Sequence, residues 1–236
     1  SLRVDMTSLM IAALSGVTSS IFVVSWLVSV KKGAYMMMDV FLMLGMIVPL
    51  IGSNIMFGDS ISTRQWIGLA ILLVAVCIMC SYNNSIKEKM GISSFALLLI
   101  CGLSSGLTDF SQKLFVEHTD TVSIATFNFY TYLFSAFVLG VFYVVFSTQS
   151  NIKSEPTSLK HIFGYILVMS VCLFLSSYFQ TQAAVHLPPT QLYPLSKGAA
   201  LIISSLMSAV LFRERLTAKC IVGIVVAFVA LLIINL

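Results

Sequence analysis

Eight apolar stretches, each long enough to cross a bilayer, fill almost all of this 236-residue chain: residues 6–30, 34–57, 63–83, 91–117, 121–147, 159–186, 188–212 and 217–236. A membrane helix needs about 20 consecutive apolar residues, and the segments between these runs are too short to hold a soluble domain. Only 9% of the residues are charged against 58% hydrophobic, with a mean hydropathy of +1.01. A soluble domain carries about 25% charged residues. Backbone groups in hydrocarbon must bond within their own segment or close a barrel. No run alternates in and out as a barrel strand does. The expected fold is an all-α integral membrane protein.

The chain also repeats itself. MFGDSISTRQWIGLAILLVAVCIM, starting at Met56, realigns without a gap on LFRERLTAKCIVGIVVAFVALLII, starting at Leu211, an offset of 155 residues. Phe57 meets Phe212, Gly68 meets Gly223 and Ile78 meets Ile233. In the polar hinge before the helix, Asp59 meets Glu214, Ser62 meets Thr217 and Arg64 meets Lys219. Such internal repeats mark membrane carriers whose sites lie near the midplane. Residues 83–236 hold five helices, whereas residues 1–82 hold counterparts of only the last three. The expectation is a bundle of inverted five-helix repeats with eight transmembrane helices present and the first two of ten missing. A native eight-helix protein with unequal halves is the alternative.

Alternate loops carry Lys31, Lys32, Lys87, Lys89, Lys153, Lys160, Arg213, Arg215 and Lys219, against Arg3, Arg64 and Lys113 on the other side. The positive-inside rule places the richer set in the cytoplasm and both ends of the chain outside. The net charge of +4 is therefore a topology signal and not a nucleic-acid footprint. All five cysteines fall inside helices, and the CxxC spelling at Cys77 has no His or acidic ligand nearby. Packing is the reading for them; no metal, cofactor or catalytic residue is expected.

The hinges resemble those of a known family. A short FGE-R-L-[ST] hinge followed by a helix that opens on a W-I-G-like step is similar to the drug/metabolite transporter (DMT) superfamily, in its EamA-type branch. Here the hinges read LFRERLTAKCIVG at Leu211 and, more loosely, MFGDSISTRQWIG at Met56. The helix before each hinge carries a proline, Pro49 and Pro194. The resemblance implies a ten-helix carrier with two inverted halves around a central cavity. It also implies cytoplasmic termini, against the charge count. The chain departs from the pattern at Arg213, where the family has glycine, and at Asp59, where glutamate is usual.

Ionisable groups inside membrane helices cost about 2.5–3.5 kcal/mol each on insertion scales and are functional candidates by default. Three stand out: Asp39, Asp109 and Lys197. With about 1.5 Å of rise per residue, Asp109 and Lys197 lie at nearly equal depth, roughly 12–14 Å from one face. They are expected to pair or to face one aqueous cavity. Gln180, Tyr178, Asn128, Tyr130 and Tyr193 reach the same stratum, and Gln112 shares a helix face with Asp109. Trp26 joins this candidate substrate set as a residue of the helix equivalent to the one bearing Gln180. Interhelical bonding that only locks the bundle is the competing reading for the group. Asp109 and Asp39 are the candidate coupling carboxylates; for Asp39, near the basic face, neutralising Lys31 or Lys32 at the interface is the favoured reading.

The function these features point to is secondary-active transport: an exporter of a small metabolite or drug-like compound working by alternating access in the plasma membrane. An importer or exchanger of anionic or sugar-type solutes, with Lys197 as anchor, and a non-transporting membrane scaffold are the alternatives. The expected partners are the small-molecule substrate, protons as the coupling ion, the lipid bilayer and, for a homodimer as opposed to a monomer, a second copy.

Overall fold

Each apolar run becomes a helix. In chain order these are α1 (Met6–Lys31), α2 (Ile47–Phe57), α3 (Thr63–Cys80), α4 (Ile92–His118), α5 (Ile124–Gln149), α6 (Leu159–His186), α7 (Pro189–Leu211) and α8 (Ala218–Asn235). The structure is a computed structural model that describes residues 4–31, 41–80, 92–119, 122–149, 159–211 and 218–235. Among the described residues there is no strand. Among the described residues, four spans are long and apolar enough to cross a membrane: Met6–Ser29, Ser93–His118, Ile124–Val145 and Phe163–His186. Phe41–Phe57, Thr63–Ala75 and Ile221–Ile234 are shorter apolar helices.

Residues 41–45 are helical and meet α2 across a turn at Met46, whose N–H bonds back only three residues, to Met43 O at 3.2 Å. Pro49 explains the break. It has no N–H to offer the Gly45 carbonyl, and its ring presses on that carbonyl four residues upstream. The α2 helix then stops at Gly58, whose φ of 72° is left-handed and whose N–H reaches Asn54 O at 3.1 Å. Glycine takes this conformation without steric cost. The Ser53 hydroxyl donates to the Asp59 carboxylate, and Asn54 Nδ2 donates to Asp59 O at 2.7 Å, so the acidic hinge residue is folded back on the helix it leaves. Ser62 and Gln65 then form a reciprocal capping box that opens α3: Ser62 N–H to Gln65 Oε1 at 2.9 Å and Gln65 N–H to Ser62 Oγ at 3.3 Å.

The helices pack in two units, Ser1–Ser20 with Ser111–His186, and Ile21–Phe110 with Leu187–Leu236. In the first, Ile11, Ala12, Phe115 and Phe127 form a buried cluster with the two phenyl rings stacked 4.1 Å apart. Helices α1 and α5 approach closely at Gly16, where a Cβ would stand 2.6 Å from that of Phe134. Ser20 and Ser135 hydroxyls meet there at 3.0 Å. Small and hydroxylated residues are the usual means of bringing membrane helices together, because lipid offers no hydrophobic drive between them.

In the second unit the most extensive packing is α3 against α8. These are the helices that realign in the sequence. Their buried faces match too: Gly68, Leu72 and Ala75 are buried on one, Gly223, Ala227 and Ala230 on the other. A Cβ on Gly68 would lie 2.5 Å from Ile234 Cγ1. Gly102 and Gly106 of α4 lie directly against the backbone of Phe41 and Gly45, leaving no room for a side chain. The Gly45 carbonyl that Pro49 releases is the atom packed on Gly106.

Candidate functional site

One face of α4 carries Cys101, Ser105 and Asp109 at four-residue spacing, so all three point the same way. One face of α7 carries Tyr193 and Lys197 at the same spacing. Lys197 Nζ stands 2.9 Å from Asp109 Oδ2 and donates to Ser105 Oγ at 2.8 Å. One turn away, the Tyr193 hydroxyl donates to the Asp109 backbone carbonyl at 2.6 Å. Going one turn along α7 moves one turn back along α4, so the two helices face each other with opposite chain directions. The equal depth of the two charges follows from that register.

Asp109 and Tyr193 are buried, at 5% and 0% exposure, while the Lys197 side chain keeps 20%. The ammonium directs its hydrogen bond to Ser105 and holds Asp109 chiefly by charge. Opposite charges drawn out of water offset part of each other's desolvation. Pro194, buried within α7 between Tyr193 and Lys197, removes the bond that Thr190 O would accept. The Thr190 hydroxyl accepts instead from Gln65 Nε2 at 3.1 Å, which ties the start of α7 to the capping box of α3.

The other candidates fall into different surroundings. Asp109, Lys197, Tyr193 and Trp26 belong to the second unit, Gln112, Asn128, Tyr130, Tyr178 and Gln180 to the first. Trp26 packs on the apolar cluster of Phe41, Leu98 and Cys101. Tyr130 packs on the Phe115–Phe127 cluster, and Tyr178 sets its ring edge-on to Phe179. Gln180 is half-buried. Gln112 and Asn128 are joined through Ser177: Gln112 Nε2 donates to Ser177 Oγ at 3.3 Å, and Ser177 Oγ to Asn128 Oδ1 at 2.6 Å. Asp39 lies outside the described residues.

Sequence reasoning missed Ser105 and Ser177, the hydroxyls that complete both constellations. Their spacing from Asp109 and Thr181 was the available signal, but serines are common in these helices and none stands out alone. It also placed Lys113 near a helix end and counted it with the charges of one face, without a partner. The structure buries Lys113 at 6% exposure and pairs it with Glu117, one helical turn on.

An open groove of about 460 Å³ lies at the start of α3 and α7, with Arg64, Gln65 and Gln191 facing Ile233 and Ile234. An apolar groove of about 430 Å³ runs between α7 and α8 past Leu195, Ile203 and Phe228. Neither is lined by Lys197 or Asp109.

Residues 92–236, which carry α4 to α8 and the whole ion-paired constellation, match the EamA-like transporter family. The chain belongs to the EamA-like transporter family. It is thus a multi-pass membrane protein of a family whose members are transporters and not enzymes. The resemblance seen in the hinges is confirmed over more than half of the chain. No curated protein matches it.

Proposed function

We propose that this protein is a secondary-active carrier that exports a small metabolite or drug-like compound across the plasma membrane by alternating access. The observation that carries the reading is the buried Lys197–Asp109 pair in the family-matched region. A charge pair whose lysine stays partly exposed can exchange partners. When a substrate group or a proton engages either member, the attraction between α4 and α7 weakens and the two helices can separate. Proton arrival at Asp109 would couple that separation to a proton gradient.

The finer architecture we propose is a pair of inverted repeats, residues 1–82 and 83–236, within a ten-helix carrier. The matched buried faces of α3 and α8 support the repeat. An anionic substrate, anchored by Lys197, is favoured as the second reading because the ammonium keeps access while the carboxylate does not.

The test is flux in proteoliposomes holding the full-length protein, screened over a metabolite panel with and without a pH gradient. Saturable uptake or release of at least one compound is the expected result. Folded protein with no flux for any compound would count against the carrier.

A further inference from the structure

Two grooves border α7 in the second unit, one polar and one apolar, and a single face of that helix joins them. The polar groove, of about 460 Å³, lies where α3 and α7 begin and α8 ends. Ser62, Thr63, Arg64 and Gln65 line it at the start of α3, and Gln191 lines it from α7. The apolar groove, of about 430 Å³, passes Leu195, Ala199 and Ile203 of α7, with Phe228 and Leu232 of α8 opposite. Gln191, Leu195 and Ala199 follow at four-residue spacing, so one groove leads into the other along one face. Tyr193 and Lys197 occupy the other side of α7, turned towards Asp109.

The residue types decide what fits this path. Arg64 is exposed and has no acidic partner among the described residues. The nearest acid in the sequence, Asp59, has its carboxylate turned back onto the Ser53 hydroxyl. Neither groove is lined by an aspartate or a glutamate. Ser62 Oγ accepts from the Gln65 N–H and keeps its own proton to give. The polar end therefore offers a cation with hydroxyl donors beside it, which suits a phosphate. Trp66 is exposed two residues further on, where an indole marks the headgroup level of a bilayer.

The apolar end has the dimensions of a lipid chain. Leu195 to Ile203 covers about 12 Å of α7, most of the roughly 15 Å of one hydrocarbon leaflet. The dent has a cause in the sequence. Gly198 lets α8 come so close that a Cβ there would stand 2.8 Å from Leu231 Cδ2, and Ala199 floors the groove between larger neighbours. A smooth apolar face meets all lipid tails alike, whereas a groove with a cation at its mouth distinguishes headgroups.

We infer that the two grooves form one binding site for an anionic phospholipid, with its phosphate at Arg64 and one acyl chain between α7 and α8. A free phosphate would use only the polar half. The bound lipid braces α7 on the face away from Lys197. The site goes beyond the carrier reading and stands whether or not the chain transports a solute.

The test is native mass spectrometry of the detergent-solubilised full chain, titrated with dioleoyl phosphatidylglycerol, dioleoyl phosphatidylcholine or glycerol 3-phosphate. One phosphatidylglycerol should bind saturably, about fivefold tighter than phosphatidylcholine, which is what one basic residue gains at an anionic lipid surface. Glycerol 3-phosphate should bind more weakly than either lipid. Arg64→Gln, a change at an exposed position, should bring phosphatidylglycerol level with phosphatidylcholine. Ala199→Phe, shown folded by its melting curve, fills the apolar half and should weaken both lipids. Equal binding of the two lipids to wild type, or undiminished phosphatidylglycerol in either folded variant, overturns the site and leaves ordinary lipid contact. Glycerol 3-phosphate bound as tightly as the lipid overturns it in favour of a free phosphate. A dimer that Ala199→Phe breaks, without lipid selectivity, overturns it in favour of a second copy in the groove.

Discussion

Lys197 and Asp109 were conspicuous because a charge in an apolar run has few bland explanations, and helical rise alone put both at one depth. Their pairing at 2.9 Å has a definite energetic consequence. Removing one partner of a buried pair strands the other, at a cost of about 3–5 kcal/mol. Lys197 retains some solvent, so Asp109→Asn should cost less, on the order of 2 kcal/mol. Lys197→Met, which strands the more deeply buried carboxylate, should cost more. The double variant Asp109→Asn/Lys197→Met should recover most of the loss, and denaturation of the wild type, both single variants and the double variant measures this as a double-mutant cycle. Asp5 gives a prediction of the opposite kind, at the water interface. Its carboxylate accepts from the Ser8 N–H at 3.3 Å, and hydrogen bonds from Ser8 hold its pKa below the ordinary 3.8. A depressed carboxylate contributes fully above 3.8 and loses that contribution as pH falls through its folded value. Amide exchange in the first turn of α1 should therefore quicken in that acid range, and Asp5→Ala should remove the pH step. Ser105 and Ser177, the partners of Lys197 and Gln112, were not legible beforehand. A serine or glutamine in a membrane helix reads the same whether it is partnered or not, and only the neighbouring helix decides.

The helical character of the apolar runs was legible because each is bounded by polar or Gly-containing segments; the break at Met46 inside the run 34–57 was not. What the sequence did not reveal is how the hinge works. The acid that aligned at Asp59 and Glu214 was a family letter until the structure bound Asp59 to Ser53 and Asn54. The glycine before it is required by a φ of 72°, so Gly58→Ala should destabilise by about 1 kcal/mol. Ser62→Ala removes half of the capping box and should cost a similar amount, about 1 kcal/mol. Thermal or chemical denaturation reads both. The small-residue contact is less forgiving. Gly106→Val would place a branched side chain on the Gly45 backbone, which α4 cannot accommodate without moving away from residues 41–48. Cysteines placed across that contact should crosslink efficiently in the native protein and poorly in the variant.

For the whole molecule, the sequence suggested one stratum of polar groups lining one cavity. The structure packs those groups in two units, a charged constellation on α4 and α7 and a neutral one on α4, α5 and α6. Depth along a helix is readable from residue counts; the direction a residue faces around it, and so the helix it meets, is not. Family membership makes transport the subject, and the mechanism we propose is one in which the charges of the buried pair part as the carrier moves. The most direct measurement is saturable flux in proteoliposomes by wild type, Lys197→Met and the double variant, each verified as folded. The account predicts flux of at least one small solute by the wild type and loss of it in both variants, even where the double variant regains stability. Undiminished flux in the folded double variant would contradict it.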